Sequence, residues 1–177
     1  MFGRLRSAWT RFGRAREGAA AVEFGLLALP FFLLTFGLAE VAMIGFGQTT
    51  LDYAVSETAR LIRTGQTQNA GSTAAQVKAQ LCAKLTQLMP MDCANNLYVD
   101  INSFPSYVTA TNVDPVQNGN FNSGSFTFSP GNANDIVVVR AFYRWQVITP
   151  LFQSVFANVS SGQRILASTM MFRNEPF

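Results

Sequence analysis

The chain has 177 residues, with 13 Lys and Arg against 10 Asp and Glu, no histidine and two cysteines. Its net charge of +3 is concentrated at one end: residues 1–18 hold Arg4, Arg6, Arg11, Arg14 and Arg16 against Glu17, which leaves eight basic and nine acidic groups for the rest. A general basic face for nucleic acid is thereby excluded, as is a Cys/His zinc site; no metal and no cofactor are expected.

Residues 1–18 read as a short Arg-rich leader. The next stretch, Ala19–Gly47, is almost without charge: Glu23 and Glu40 bracket sixteen uncharged residues, Phe24–Ala39. As one helix it would be about 43 Å long at 1.5 Å per residue, against a bilayer core of about 30 Å. It therefore spans a membrane or once engaged one. The arginines on its N-terminal side put the N-terminus in the cytoplasm by the positive-inside rule, and everything past Gly47 outside it. Pro30 interrupts the run, which membrane helices tolerate. Gly25, Gly37, Gly45 and Gly47 are small positions where another helix can approach, although ordinary membrane-helix composition explains any one of them.

The helical pattern continues over residues 48–64, with Leu51, Ala54, Val55, Thr58, Leu61 and Ile62 on one face and Asp52, Glu57, Arg60 and Arg63 elsewhere. Gly65 is the expected stop. The result is one helix over 19–64, apolar all round over 19–47 and amphipathic over 48–64. The amphipathic half needs an apolar surface to lie on.

Residues 66–71 read as a linker. Ser72 is placed to cap a helix at 73–89 with Val77, Leu81, Leu85 and Leu88 on one face, ended by Pro90. Cys82 falls on that helix and Cys93 in the loop after it. In an oxidising compartment they are expected to form a disulfide worth about 2–3 kcal/mol; the alternative is two buried thiols. Residues 97–103 alternate as a strand. Residues 105–134 form a long polar loop, read as a binding loop or a variable insertion, with a short strand candidate at Ser125–Ser129. Asp135–Thr149 is the clearest strand: Val137, Val139, Ala141, Tyr143, Trp145 and Val147 make an apolar face, and Arg140, Arg144 and Gln146 lie on the other. A short helix at 150–159 and a strand at 163–172, antiparallel to 136–148, complete an α+β arrangement: a long N-terminal helix, a second helix and an antiparallel sheet of three or four strands, with residues 66–177 as an exported domain.

No catalytic constellation is visible. Without histidine there is no Ser-His-Asp or Cys-His arrangement, and no Gly-rich phosphate loop follows a strand. The chain is not expected to be an enzyme. The costly residue is Glu23, because an unpaired carboxylate toward the bilayer centre costs about 2.5–3.5 kcal/mol. It is either snorkelling at the cytoplasmic boundary or paired. Were the chain cut after Gly18, Ala19 would gain an α-amino group, positive near neutral pH, and Glu23 of one subunit would neutralise Ala19 of a neighbour.

An Arg-rich leader, then Gly18, then AAAVEF with the acid fifth after the glycine, resembles a type IV prepilin cleavage site. GAAAVEFGLLALP, the second acid Glu40 and the helical tail AVSETARLIRTGQ resemble the TadE-like family of the tight adherence (Flp) pilus system. The Ala-Ser-Thr-Met strand and the terminal RNEPF are also similar to that family. The resemblance implies a minor pilin or pseudopilin, cut between Gly18 and Ala19 by a prepilin peptidase that supplies the chemistry. It implies a bacterial inner-membrane protein with a periplasmic C-terminal domain, incorporated in a pilus or retained in the membrane lipid. Its partners would be Flp pilin, TadF-like and TadG-like subunits and the Tad inner-membrane assembly machinery. Phe24 departs from the Glu-Tyr typical of the short major Flp pilins, and a sizeable domain follows, both of which favour a minor subunit. Two other readings are an exported soluble protein cut by signal peptidase after Gly37-Leu38-Ala39, and an uncleaved single-span envelope protein with a binding role.

Overall fold

The structure, a computed structural model, describes residues 16–110 and 113–177. Most of the basic leader expected over 1–18 lies outside the described residues. The first element, α1 (Arg16–Arg63), is one continuous helix through Pro30. The chain divides into two compact units between Ala39 and Glu40.

In the first unit the side chains of α1 are mostly exposed, including Phe24, Leu26, Leu27, Leu29, Leu34 and Phe36. A helix that is apolar all round and that none of the described residues covers is what a bilayer solvates.

In the second unit, α1 from Glu40 onward carries the expected buried stripe. Leu51, Ala54, Val55, Thr58 and Ile62 are buried. Ala59 is buried as well, whereas Leu61 is half-buried. The helix stops at Gly65, whose φ of 75° is left-handed, a conformation glycine adopts without Cβ strain. The segment read as a linker contains a short helix, α2 (Gln66–Asn69). The next helix, α3 (Ala74–Leu88), is capped by Thr73 and not by Ser72. Thr73 and Gln76 form a reciprocal capping box, which satisfies two otherwise orphaned donors. Val77, Leu81 and Leu85 are fully buried, but Leu88 is exposed, because the chain turns away at Pro90.

After α4 (Cys93–Asn96), the main sheet is built from β1 (Leu97–Phe104), β4 (Ile136–Gln146) and β5 (Gln163–Arg173), all antiparallel, in the order β1-β4-β5. Leu97 faces Tyr143 and Phe104 faces Ile136 across the first pair; Ile136 faces Arg173 and Gln146 faces Gln163 across the second. The α1 stripe, α3 and α4 cover the β4 face formed by Val137, Val139, Ala141, Tyr143 and Trp145, making the main core. Between β1 and β4 lies a small hairpin, β2 (Val116–Gln117) and β3 (Asn120–Phe121). The strand expected at Ser125–Ser129 is only a parallel bridge of Phe128 to Ile101. The helix expected over 150–159 is shorter: a 3-10 turn at Pro150–Phe152 and then α5 (Gln153–Phe156).

The opposite face of β4 differs from the sequence expectation. Alternation puts Arg140, Arg144 and Gln146 on it. Yet Phe142, Val159 and Ile165 form a second core there, with Tyr98, Val116, Phe121 and Phe126 packed against it. The polar loop folds back over the strand and brings its few aromatics with it. Nearly the whole length of β4 is buried, as a central strand covered on both sides must be.

Candidate functional site

The residues expected to carry processing and pairing all lie on α1. Gly18, Ala19, Glu23 and Phe24 are exposed, and none of the described residues comes within 4 Å of a Cβ built on Gly18. Ala19 and Glu23 are four residues apart, so they share one face of the helix. These four residues belong to the unit that ends at Ala39.

Glu40 belongs to the second unit and has a different environment. It is 3% exposed. Its Oε1 accepts the Ile148 N–H at 3.1 Å, and its Oε2 accepts the Thr149 N–H at 3.1 Å and the Thr149 hydroxyl at 3.2 Å. A single carboxylate thus satisfies two backbone donors and a hydroxyl just past β4. Two turns further on, Gly47 lets the strand come close: a Cβ there would stand 2.9 Å from Cζ3 of Trp145. Of the two readings of this glycine, a place for another helix or ordinary membrane-helix composition, neither describes it: its own chain packs against it. Gly25 and Gly45 have nothing within 4 Å of such a Cβ.

Cys82 and Cys93 form a disulfide with a Cα–Cα distance of 5.8 Å. It pins α4 and the start of β1 to α3. Nearby, burial raises the pKa of Tyr143 above its ordinary value; the Asp92 carboxylate raises it further, and a hydrogen bond with the Asp92 backbone opposes both.

Sequence reasoning missed the buried ion pair of the second core. Asp100 on β1 is fully buried and Arg140 on β4 nearly so. The two face each other in register. Arg140 donates from Nε to Asp100 Oδ2 at 2.9 Å and also through Nη2. Its Nη1 donates to the Val113 carbonyl at 2.7 Å. Asp100 further accepts from Asn102 and from the Thr127 N–H. The arginine therefore fastens the long loop to the sheet. Arg144, beyond Phe142 on that face, stacks over Tyr98 and Phe121 at 4.8 and 5.1 Å. The acid in LYVDINS was the available signal, since a carboxylate inside an alternating strand needs a partner when buried.

The terminal RNEPF also has a structural place. The Glu175 N–H donates to the Arg63 carbonyl at 2.9 Å, and the Phe177 ring sits over Gly65, leaving no room for a Cβ there. The tail closes the C-terminal end of α1.

These features define an α+β protein that has, among the described residues, one helix, near the N-terminus, long and apolar enough to cross a membrane. Residues 18–60 match the family model described as TadE-like protein, which agrees with the resemblance read from the same stretch. The match covers α1 from Gly18 almost to its end and none of the strands. No curated protein and no solved structure matches the chain.

Proposed function

We propose that the protein is a minor pilin or pseudopilin of a Tad (Flp) pilus, anchored in the bacterial inner membrane by α1 and cut after Gly18 by a prepilin peptidase. The observation that carries this reading is the TadE-like match over residues 18–60, which begins at the glycine of the processing motif. Three features of the chain support it. Among the described residues nothing covers the Gly18–Ala19 bond. Glycine weakens a helix by about 1 kcal/mol relative to alanine, so the helix opens most easily where a peptidase needs extended chain. Glu23 shares a helix face with Ala19, so staggering two helices by one turn brings the acid to a neighbour's new α-amino group. The role is assembly and not catalysis. The partners are the prepilin peptidase, Flp pilin, TadF-like and TadG-like subunits and the Tad inner-membrane machinery. The C-terminal domain is periplasmic, where the Cys82–Cys93 bond persists.

A second reading has one observation in its favour. The boundary between the compact units falls between Ala39 and Glu40, where a signal peptidase acting after Gly37-Leu38-Ala39 would cut. Against it, α1 passes through that point without interruption. The N-terminus and intact mass of the protein recovered from membranes separate the readings. A start at Ala19 is expected; a start at Glu40 supports a secreted protein, and an unprocessed chain supports an uncleaved envelope protein.

A further inference from the structure

At the edge of the second core lies a cavity of about 210 Å³, between the β2–β3 hairpin and the turn that leads into β5. Its rim is tied together: the Ser160 N–H donates to the Gly119 carbonyl at 2.7 Å. Phe121, Val159 and Ile165 give it an apolar wall. Arg144 is the one charged residue among the described residues that line it.

Arg144 is half-buried, with its guanidinium over the rings of Tyr98 and Phe121. Those contacts hold the head group in place but satisfy none of its five N–H donors. Among the described residues no carbonyl, hydroxyl or carboxylate accepts from it. Arg140 on the same face differs, because Asp100 and the Val113 carbonyl accept from it. A second donor borders the cavity. The Gln163 amide is fixed at both ends, accepting from the Ser161 hydroxyl at 3.2 Å and donating to Gln146 at 3.3 Å. One N–H of its Nε2 is left over.

The charge and size of the site select its ligand. A guanidinium presents a fork of N–H groups that fits a carboxylate with two parallel hydrogen bonds. One carboxylate neutralises a single arginine, whereas a dianionic phosphate would leave a negative charge against an apolar wall. The volume falls below the roughly 300–1,000 Å³ of sites for drug-sized ligands, so a small group fills it. Because the rings already fix the guanidinium, binding costs little further ordering. We propose that this cavity binds a single carboxylate on a short apolar stem, gripped by Arg144 with Gln163 as the second donor. The carboxylate belongs to an Asp or Glu side chain of another protein or to a small organic acid. The site lies wholly in the second unit and does not depend on how the chain is processed.

The test uses the full chain, oxidised and purified in a nonionic detergent, at fixed ionic strength. The Arg144 Nε–H resonance is identified by its nuclear Overhauser contacts with the Tyr98 and Phe121 rings and followed through a titration. The probes are propionate and the blocked peptide acetyl-Ala-Glu-Ala-amide; propionamide and the Gln analogue of the peptide are the neutral controls. A saturable shift at about millimolar concentration, the scale of a ligand with few contacts, is expected from one carboxylate probe or both. Binding of propionate alone identifies a small acid as the source, and binding of the peptide alone identifies an acidic side chain. Arg144→Gln is expected to weaken binding at least about tenfold, as for loss of a hydrogen bond to a charged group, and Gln163→Leu about threefold. The wild-type titration decides even where a variant fails to fold. If the carboxylates shift the resonance no more than the neutral controls do, the proposal is overturned. It is overturned equally if inorganic phosphate binds more tightly than either probe, or if Arg144→Gln melts like the wild type and binds as well.

Discussion

Both oxygens of the Glu40 carboxylate are bound to the turn that follows β4, and Thr149 supplies two of the three donors. A helix and a strand end 109 residues apart are joined by one acid. Glu40→Ala leaves two part-buried N–H groups without their acceptor. It is expected to cost about 2–3 kcal/mol, the scale of hydrogen bonds to a charged group, and Glu40→Gln, which keeps one acceptor oxygen, about half of that. Thermal melting of the purified chain in detergent measures both. A melting temperature unchanged in Glu40→Ala would show that the clasp contributes nothing.

Two glycines on α1, two residues apart, should respond oppositely to alanine. At Gly47 the new methyl meets Trp145 at 2.9 and 3.2 Å and Leu166 at 3.3 Å. The indole is itself packed, so Gly47→Ala is expected to destabilise by about 1–3 kcal/mol. At Gly45 the methyl meets nothing within 4 Å, and the gain in helix propensity, up to about 1 kcal/mol, should leave Gly45→Ala neutral or more stable. Equal melting shifts for the two variants would contradict the close approach of Trp145.

The Asp100–Arg140 pair is buried, so removing either partner strands a charge. Asp100→Asn or Arg140→Met is expected to cost about 3–5 kcal/mol, whereas the double replacement Asp100→Leu with Arg140→Met should recover a large part of it. Limited proteolysis adds a local readout. Because Arg140 also holds the Val113 carbonyl, the loop around residue 113 should become cleavable in Arg140→Met before the domain as a whole unfolds.

Reduction of Cys82–Cys93 frees a short loop of sequence separation 11. By the chain-entropy relation this should lower stability by about 3 kcal/mol. Cys82→Ser and Cys93→Ser, alone or together, should melt within a degree or two of one another, and an unaffected melting temperature would contradict the bond's role.

Processing and assembly should separate at Gly18 and Glu23. Gly18→Leu is expected to abolish the shortened product on immunoblots. Glu23→Val is expected to permit cutting yet reduce piliation. A Gly18→Leu chain still shortened to Ala19 would remove the leader assignment, and full piliation with Glu23→Val would remove the pairing of acid with amine.

The long helix, the buried stripe of Leu51, Val55 and Ile62, the helix of Val77, Leu81 and Leu85, and the strands at 97–104, 136–146 and 163–173 were all legible in the sequence. Each depends on a repeat of 3.6 or 2 residues that the backbone imposes locally. The disulfide was expected from the spacing of its two cysteines and the topology read for the chain, and the match of residues 18–60 to the TadE-like family model was legible in one contiguous motif. Element ends were less legible. Thr73 caps α3 instead of its neighbour Ser72, because the cap depends on which hydroxyl stands three residues before Gln76.

Tertiary structure alone decided what the second face of β4 meets. Alternation put Arg140 and Arg144 on a polar face, and only the return of the 113–128 loop turned that face into a core. It likewise decided that Glu40 is a clasp, that Gly47 is filled by Trp145 and that RNEPF closes the end of α1. In each case the two partners are far apart in the chain, 40 residues for Asp100 and Arg140 and 109 for Glu40 and Thr149. Periodicity records which way a side chain points from its own backbone. It carries no record of what a distant segment will bring to meet it.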